Sequence, residues 1–325
     1  MRIFALHHSR IFGEQIATFL DRSLDRHEER AFEDGEHKIR PLVSVRDEDV
    51  YVIHSLHEDE QQSVNDKLCK LLFFIATLKD AGAQRVTAII PYLCYTRKDR
   101  RTKARDPVTI RYVASLFEAV NTDRVVTIDV HNLQAYQNAF RCKTEHLEAQ
   151  KLFINYFKKH FESHDNFVVM SPDIGGVKRA KMFRALLSKE LSANVEFAFM
   201  EKIRSKDIVS GETIVGDVEG KIVIILDDLI SSGNTITRAA TACKKLGAVS
   251  AYAVATHGAF IAKAIESFSD KAIDKILITN TVSSNVINES LLNQKLVRVD
   301  VAPFFAEVIR RLNNGGSLVS FMETE

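Results

Sequence analysis

Residues 221–239, KIVIILDDLISSGNTITRA, set an unbroken apolar, β-branched run, two adjacent carboxylates, a small polar loop and a helical pattern in immediate succession. Five apolar residues in a row, 222–226, read as a parallel strand covered on both faces, with Lys221 before it and Asp227 after it marking its ends. Ser231, Ser232, Gly233, Asn234 and Thr235 then bring backbone N–H groups and hydroxyls to the start of a helix expected over 237–246. Such a helix points its positive end at the loop, which is the arrangement that binds a phosphate. A sugar attached to that phosphate falls beside Asp227 and Asp228, whose oxygens accept from ribose hydroxyls or hold a divalent cation. The plain alternative is a strand, turn and helix in which the aspartates end the strand and the serines cap the helix.

Outward from this stretch, apolar β-rich runs alternate with helical patterns along the chain, which predicts βαβ units and parallel sheets. Strands are expected at 50–55, 85–91, 125–129, 167–171, 195–200, 222–226, 250–255 and 275–279, and helices at 65–82 and 107–120. A length of 325 residues suggests two domains of about 150 residues each. The charged amphipathic stretch 145–164 separates two strand-rich halves, so the expected domains are 1–150 and 151–325, with the extreme C-terminus open to packing back on the first.

Forty-four Lys and Arg balance forty-three Asp and Glu, a formal charge of +1, so no global field draws the chain onto nucleic acid or an anionic membrane. Any anion site is therefore local. Cys69, Cys94, Cys142 and Cys243 are scattered without a C-x-x-C pair, as expected of reduced thiols in a cytoplasmic protein. No apolar run approaches the roughly 20 residues of a membrane span, and the N-terminus does not read as a signal peptide.

Four further motifs carry chemistry. In PYLCYTRKDRRTKARDP, Arg97, Lys98, Arg100, Arg101, Lys103 and Arg105 crowd together, a pattern suited to a polyphosphate, with Asp99 placed to orient a guanidinium. His131 in DVHNLQ and Asp173 in SPDIGG each follow an apolar strand and together could share a magnesium ion brought by a nucleotide. FEDGE, with Gly35 permitting positive φ, is by itself a common surface turn. Lys202 and Arg204 in EKIRS sit at a strand end before a polar stretch over 205–220, where a mobile basic loop could close over a transferring group.

Taken together these motifs resemble, in order and spacing and over nearly the whole chain, the ribose-phosphate diphosphokinase (phosphoribosyl diphosphate synthetase) family. The resemblance implies an α/β fold of two Rossmann-like domains of the type I phosphoribosyltransferase kind, each a mainly parallel sheet flanked by helices. It implies transfer of the diphosphoryl group of ATP to the 1-hydroxyl of ribose 5-phosphate, with Mg2+ required. By position, Phe32, Asp34, Gly35, Glu36, Arg97 and Lys98 belong to ATP recognition, and a neighbouring subunit of a dimer-based homo-oligomer, up to a hexamer, presents the FEDGE segment. His131 and Asp173 are the metal positions, Lys202 and Arg204 the catalytic cations, Asp227 a ribose contact, and Ser231, Ser232, Gly233, Asn234 and Thr235 the 5′-phosphate cradle. Lys98, Thr102 and Ser231 depart from the residues common in the family. The competing readings are a phosphoribosyltransferase, which leaves Arg97–Arg105 and His131 unexplained, and a non-catalytic synthetase-associated regulatory subunit, against which the retained Lys202, Arg204, His131 and Asp173 argue.

Overall fold

The computed structural model describes residues 1–162, 165–205, 208–283 and 295–324. Two compact units emerge: Met1–Glu148 with Thr281–Ser283 and Asp300–Glu325, and Ala149–Asn280 with Ser284–Val299.

In the second unit the apolar run 222–226 belongs to strand β11, Ile222–Ile230. It pairs in parallel with β8, Phe167–Ser171, on one side and with β12, Ser250–Gly258, on the other. Strand β9, Glu196–Ser205, lies beyond β8 and continues into antiparallel β10, Ile208–Val215. Strands β13, Lys275–Thr279, and β14, Leu296–Val299, extend the other edge, giving the order β10-β9-β8-β11-β12-β13-β14. Val223 and Ile225 join Ile236, Ala239 and Cys243 of helix α7, Asn234–Lys245, in one core. Ile224 and Leu226, on the opposite face, are buried as well, as expected of a strand covered on both sides.

The chain leaves β8 toward β9 through helix α6, Val177–Leu191, then jumps to the far side of β8 to form β11. Right-handed crossovers in opposite directions put α6 and α7 on opposite faces. The strand order therefore reverses between β8 and β11, and the crevice beyond their carboxyl ends is where open α/β sheets bind ligands.

The first unit has a five-stranded parallel sheet, β1 (Arg2–Ala5), β4 (Asp49–Ile53), β5 (Arg85–Ile89), β6 (Arg124–Ile128) and β7 (Lys143–Leu147), side by side in chain order. Strand order never reverses here, so the polar loops line up along one carboxyl edge instead of flanking a switch point. Val50, Val52, Val86 and Val125 pack with Leu71, Ile75, Val113, Phe117 and Tyr136 from helices α2 (Val64–Asp80), α3 (Thr109–Ala119) and α4 (Leu133–Ala139). A capping box between Ser63 and Asp66 starts α2, and Gly82 at φ +87° lets the chain leave it. Between β1 and β4, helix α1 (Arg10–Phe19) is followed by an antiparallel hairpin, β2 (His27–Ala31) and β3 (His37–Pro41).

Helix α5, Gln150–His160, opens the second unit, and helix α8, Lys263–Phe268, precedes β13. Past β14 the chain returns to the first unit as α9, Ala302–Asn314, and α10, Leu318–Thr324. Phe305 meets Phe12 of α1 at 5.8 Å, and Arg310 donates to the Phe19 carbonyl at 2.7 Å. All four cysteines are free. Among the described residues no helix is long and apolar enough to cross a membrane.

Candidate active site

Asp227 and Asp228 lie inside β11, not beyond its end as the apolar run alone suggests. Pairing with β12 continues through Asp227–Ala255, Leu229–His257 and Ile230–Gly258, so main-chain bonding carries the strand past its apolar stretch. Asp228 is 4% exposed, while the Asp227 side chain keeps a quarter of its surface open. Both face the Arg179 guanidinium, whose Nη1 is 2.9 Å from Asp228 Oδ1 and 3.3 Å from Asp227 Oδ1. Asp227 also accepts from the Asp228 N–H at 2.9 Å. Burial, then the adjacent Asp228 carboxylate, push Asp227 well above the usual carboxylate range, and Arg179 pulls it back.

Arg179 was not singled out from the sequence. The signal was there: Arg179 lies in the first turn of α6, where the helix dipole disfavours a cation unless a carboxylate faces it.

Beyond β11 the chain turns at Gly233, φ +76°, where a Cβ would come within 2.8 Å of Phe268 Cε1. Only glycine fits this turn without strain. Helix α7 starts at Asn234, earlier than expected, and no side chain caps it, so the serines do not serve as caps. Its first-turn N–H groups, which have no intrahelical partner, face the loop of Ser231 and Ser232. The Asn234 side chain turns aside instead, its Oδ1 accepting from Ser267 Oγ at 3.1 Å, and Thr237 Oγ1 donates to the Ser267 carbonyl. Asn234 and Thr235 thus offer the helix terminus their backbone.

At the end of neighbouring β8, Ser171 Oγ donates to the Asp173 carbonyl at 2.6 Å and the Gly176 N–H donates to Asp173 Oδ1 at 3.0 Å. A Cβ on Gly176 would stand 2.7 Å from Ser171 Oγ, so this glycine admits the protein's own serine, whereas Gly175 is exposed. Asp173 is thereby fixed at the switch point shared with β11.

In the first unit, Arg97 and Lys98 are exposed after β5. Asp99 does not orient a guanidinium as expected: its Oδ2 accepts from Asn132 Nδ2 at 2.6 Å. Asn132 in turn caps α4, accepting from the Ala135 N–H at 3.2 Å. This bond stitches the basic loop to the loop bearing exposed His131. Asp106, also missed in the sequence, accepts from the Thr102 hydroxyl at 2.7 Å and from the Thr102 and Lys103 N–H groups, which hold its carboxyl low. Thr102 therefore has a structural use for its hydroxyl.

Phe32, Glu33, Asp34, Gly35 and Glu36 form the tip of the β2–β3 hairpin, all exposed. Phe32 N–H donates to the Glu36 carbonyl at 2.8 Å, Gly35 takes φ +89°, and the Arg30 guanidinium sits 5.1 Å from the Phe32 ring centre. The expected loop around Lys202 and Arg204 is instead a two-stranded ribbon, with Lys202 opposite Glu212 and Arg204 opposite Val209. The β-branched residues of β10 favour that pairing. The side chains of Lys202 and Arg204 lie outside the described structure.

Among the described residues, no group of three or more His, Cys, Asp or Glu could hold a metal ion.

Comparison with known proteins covers both units. Residues 1–120 match the family model described as the N-terminal domain of ribose phosphate pyrophosphokinase, and residues 171–322 match the phosphoribosyl synthetase-associated domain. The ribose-phosphate pyrophosphokinase of Caldanaerobacter subterraneus subsp. tengcongensis is 38% identical, with 98% of this chain and 96% of that protein aligned. That of Clostridium perfringens is 37% identical over 92% of this chain and 90% of its own length. The crystal structure of phosphoribosylpyrophosphate synthetase from Mycobacterium smegmatis superimposes with a TM-score of 0.87 at 32% identity, covering 97% of this chain and 99% of that one.

Proposed function

Because this chain belongs to the ribose-phosphate pyrophosphokinase family, we propose that its own residues carry out that reaction: the diphosphoryl group of ATP passes to the 1-hydroxyl of ribose 5-phosphate, giving 5-phosphoribosyl 1-diphosphate and AMP. The observation that carries the assignment of the pentose site is the uncapped start of α7 directly beyond Asp227, at the sheet's switch point. The N–H groups at Gly233, Asn234 and Thr235, with the hydroxyls of Ser231 and Ser232, take the 5′-phosphate. Asp227, on the open side of the strand end, accepts from the ribose hydroxyls. Asp228 is buried against Arg179 and holds the pair in place, so it is a support more than a contact.

On the nucleotide side, Arg97 and Lys98 neutralise the triphosphate, and Asp99 holds their loop through Asn132. Phe32, Asp34, Gly35 and Glu36, displayed on a hairpin tip, suit recognition of a nucleotide bound by a neighbouring copy in a homo-oligomer. His131 and Asp173 are the residues that would hold magnesium, which supplies charge neutralisation at the phosphates when bound. Attack of the 1-hydroxyl oxygen on the β-phosphorus forms one P–O bond, breaks the bond from that phosphorus to the bridging oxygen that leaves with AMP, and releases the hydroxyl proton to water. That displacement needs positioning and neutralised charge more than covalent help, which Lys202 and Arg204 provide. The protein works in the cytoplasm.

The test is to incubate the purified chain with ATP, magnesium and ribose 5-phosphate and follow AMP and 5-phosphoribosyl 1-diphosphate. Equimolar formation of both is expected, with Asp227→Asn raising the KM for ribose 5-phosphate. A chain that binds both substrates yet forms neither product is a synthetase-associated subunit, and the catalytic assignment is then wrong.

A further inference from the structure

A second concentration of positive charge lies in the first unit, apart from every residue given a role above except that it borders the same hairpin. A cleft of about 210 Å³ opens between β2–β3, the turn after β1 and the start of α2. Arg30 and Lys38 line it from the hairpin, Lys70 from α2, and His7, His8 and His37 supply three imidazoles.

The cations there lack dedicated partners. Lys38 stands 3.6 Å from Glu28, a carboxylate already held by Arg40. Arg30 rests over the Phe32 ring, and among the described residues neither Arg30 nor Lys70 pairs with a carboxylate. Glu29 is the one acid in the lining, and its Oε1 is spoken for by the His7 N–H at 2.6 Å and the His27 ring at 2.8 Å. In a chain whose total charge is +1, this is a local excess.

Neutral donors are also in place. His37 stacks on Phe73, with ring centres 5.5 Å apart, and its Nε2 is buried without a hydrogen-bond partner. Gln62 has a buried carbonyl oxygen in the same condition, and its amide can equally present NH2. Buried polar atoms left unsatisfied cost free energy that an occupant would restore. Burial first, then Lys70, lower His37 from its ordinary value, so the imidazole is neutral at pH 7 and ready to donate.

We infer that this cleft binds a small phosphate-bearing dianion, through Arg30, Lys38 and Lys70 with His37 as a neutral donor. Its volume falls below the ~300–1,000 Å³ of sites for drug-sized ligands, which fits a phosphoryl group with little attached. Guanidinium and ammonium groups are the usual receptors for such an ion. Because the occupant would bridge the hairpin to α2, it would also steady the strands that end in Phe32–Glu36. The inference stands on this cleft alone, and the active-site reading survives its failure.

The experiment follows the His37 imidazole by NMR in the full chain labelled with ¹⁵N at histidine and glycine, the His37 signals being assigned with His37→Asn. Inorganic phosphate and AMP are titrated separately, with the Gly233 amide as reporter of the other phosphate site. Binding in the cleft brings a negative charge within a few ångströms and should raise the His37 midpoint by about one pH unit. Phosphate alone moving His37 identifies the free ion as the ligand, and AMP alone identifies a monoester; either result sustains the inference. In the Arg30→Gln, Lys70→Gln double variant the affinity should fall at least tenfold. A His37 signal that ignores both ligands while Gly233 responds, or a response undiminished in the double variant, overturns the site.

Discussion

Replacing Arg179 by Gln removes a cation placed between two carboxylates, at 2.9 Å from Asp228 and 3.3 Å from Asp227. Breaking a buried pair by deleting one partner costs about 3–5 kcal/mol. Asp227 keeps a quarter of its surface open and water offsets part of its charge, so the lower end, about 3 kcal/mol, is expected. For a domain of this size that is a fall in Tm of roughly 6–12 °C. Function should suffer through Asp227: losing a charge-assisted orienting bond worth ~1.5–3 kcal/mol lowers kcat/KM for ribose 5-phosphate about 10- to 100-fold, with the KM for ATP unchanged.

The pH dependence has a definite sign. Without Arg179 the folded-state pKa of the carboxylate pair rises further above the unfolded value of about 3.9. Relative to wild type, whose Asp227 is already pushed up to about 8, the added penalty is small well below that pH and grows as pH rises through it. Scanning calorimetry at pH 5 and pH 8 should find the larger loss of Tm at pH 8. Equal losses at both values, or a ribose 5-phosphate KM that matches wild type, would refute the argument that Arg179 compensates and positions the pair.

Other outcomes follow from the same geometry. Gly233→Ala forces a left-handed residue, at about 1–2 kcal/mol, and drives a Cβ to within 2.8 Å of Phe268; calorimetric titration should show ribose 5-phosphate binding weakened tenfold or more, and unchanged affinity would remove the phosphate from this loop. Lys202→Ala should lower kcat with little change in either KM, since its proposed interaction forms in the transition state; steady-state kinetics with unaltered kcat would discard that role. Asp59 bridges fully buried Lys67, at 2.5 Å, to His8, at 2.9 Å. Burial alone would raise it, but Lys67 and the N–H groups of Gln61 and Gln62 hold it well below its ordinary value. That stabilisation is present above about pH 4 and lost on further acidification. Asp59→Asn should thus cost about 3 kcal/mol at pH 7, and thermal melts that show the same deficit at pH 3 would contradict it.

What the sequence settled by itself was whatever depends on neighbours along the chain. The run 222–226 is covered on both faces as its composition requires, and the basic stretch after β5, DVHNLQ and SPDIGG each follow a strand end as expected, whereas Asp227, Asp228, Lys202 and Arg204 lie within strands. Periodicity placed a helix over 65–82 ending at the glycine, where the structure has α2, and the ordered motifs pointed to the family. Tertiary structure decided the rest. Asp227 and Asp228 are strand residues because β12 keeps bonding past the apolar stretch, a fact of pairing and not of composition. Asp99 meets Asn132 across 33 residues, and Arg179 meets Asp227 across 48. The switch point between β8 and β11, and the return of Asp300–Glu325 to the first unit, likewise depend on which strands lie side by side. A local pattern fixes which face of a segment is apolar, but parallel strands are joined by long crossovers, and only the folded sheet determines which distant side chains end up at the same edge.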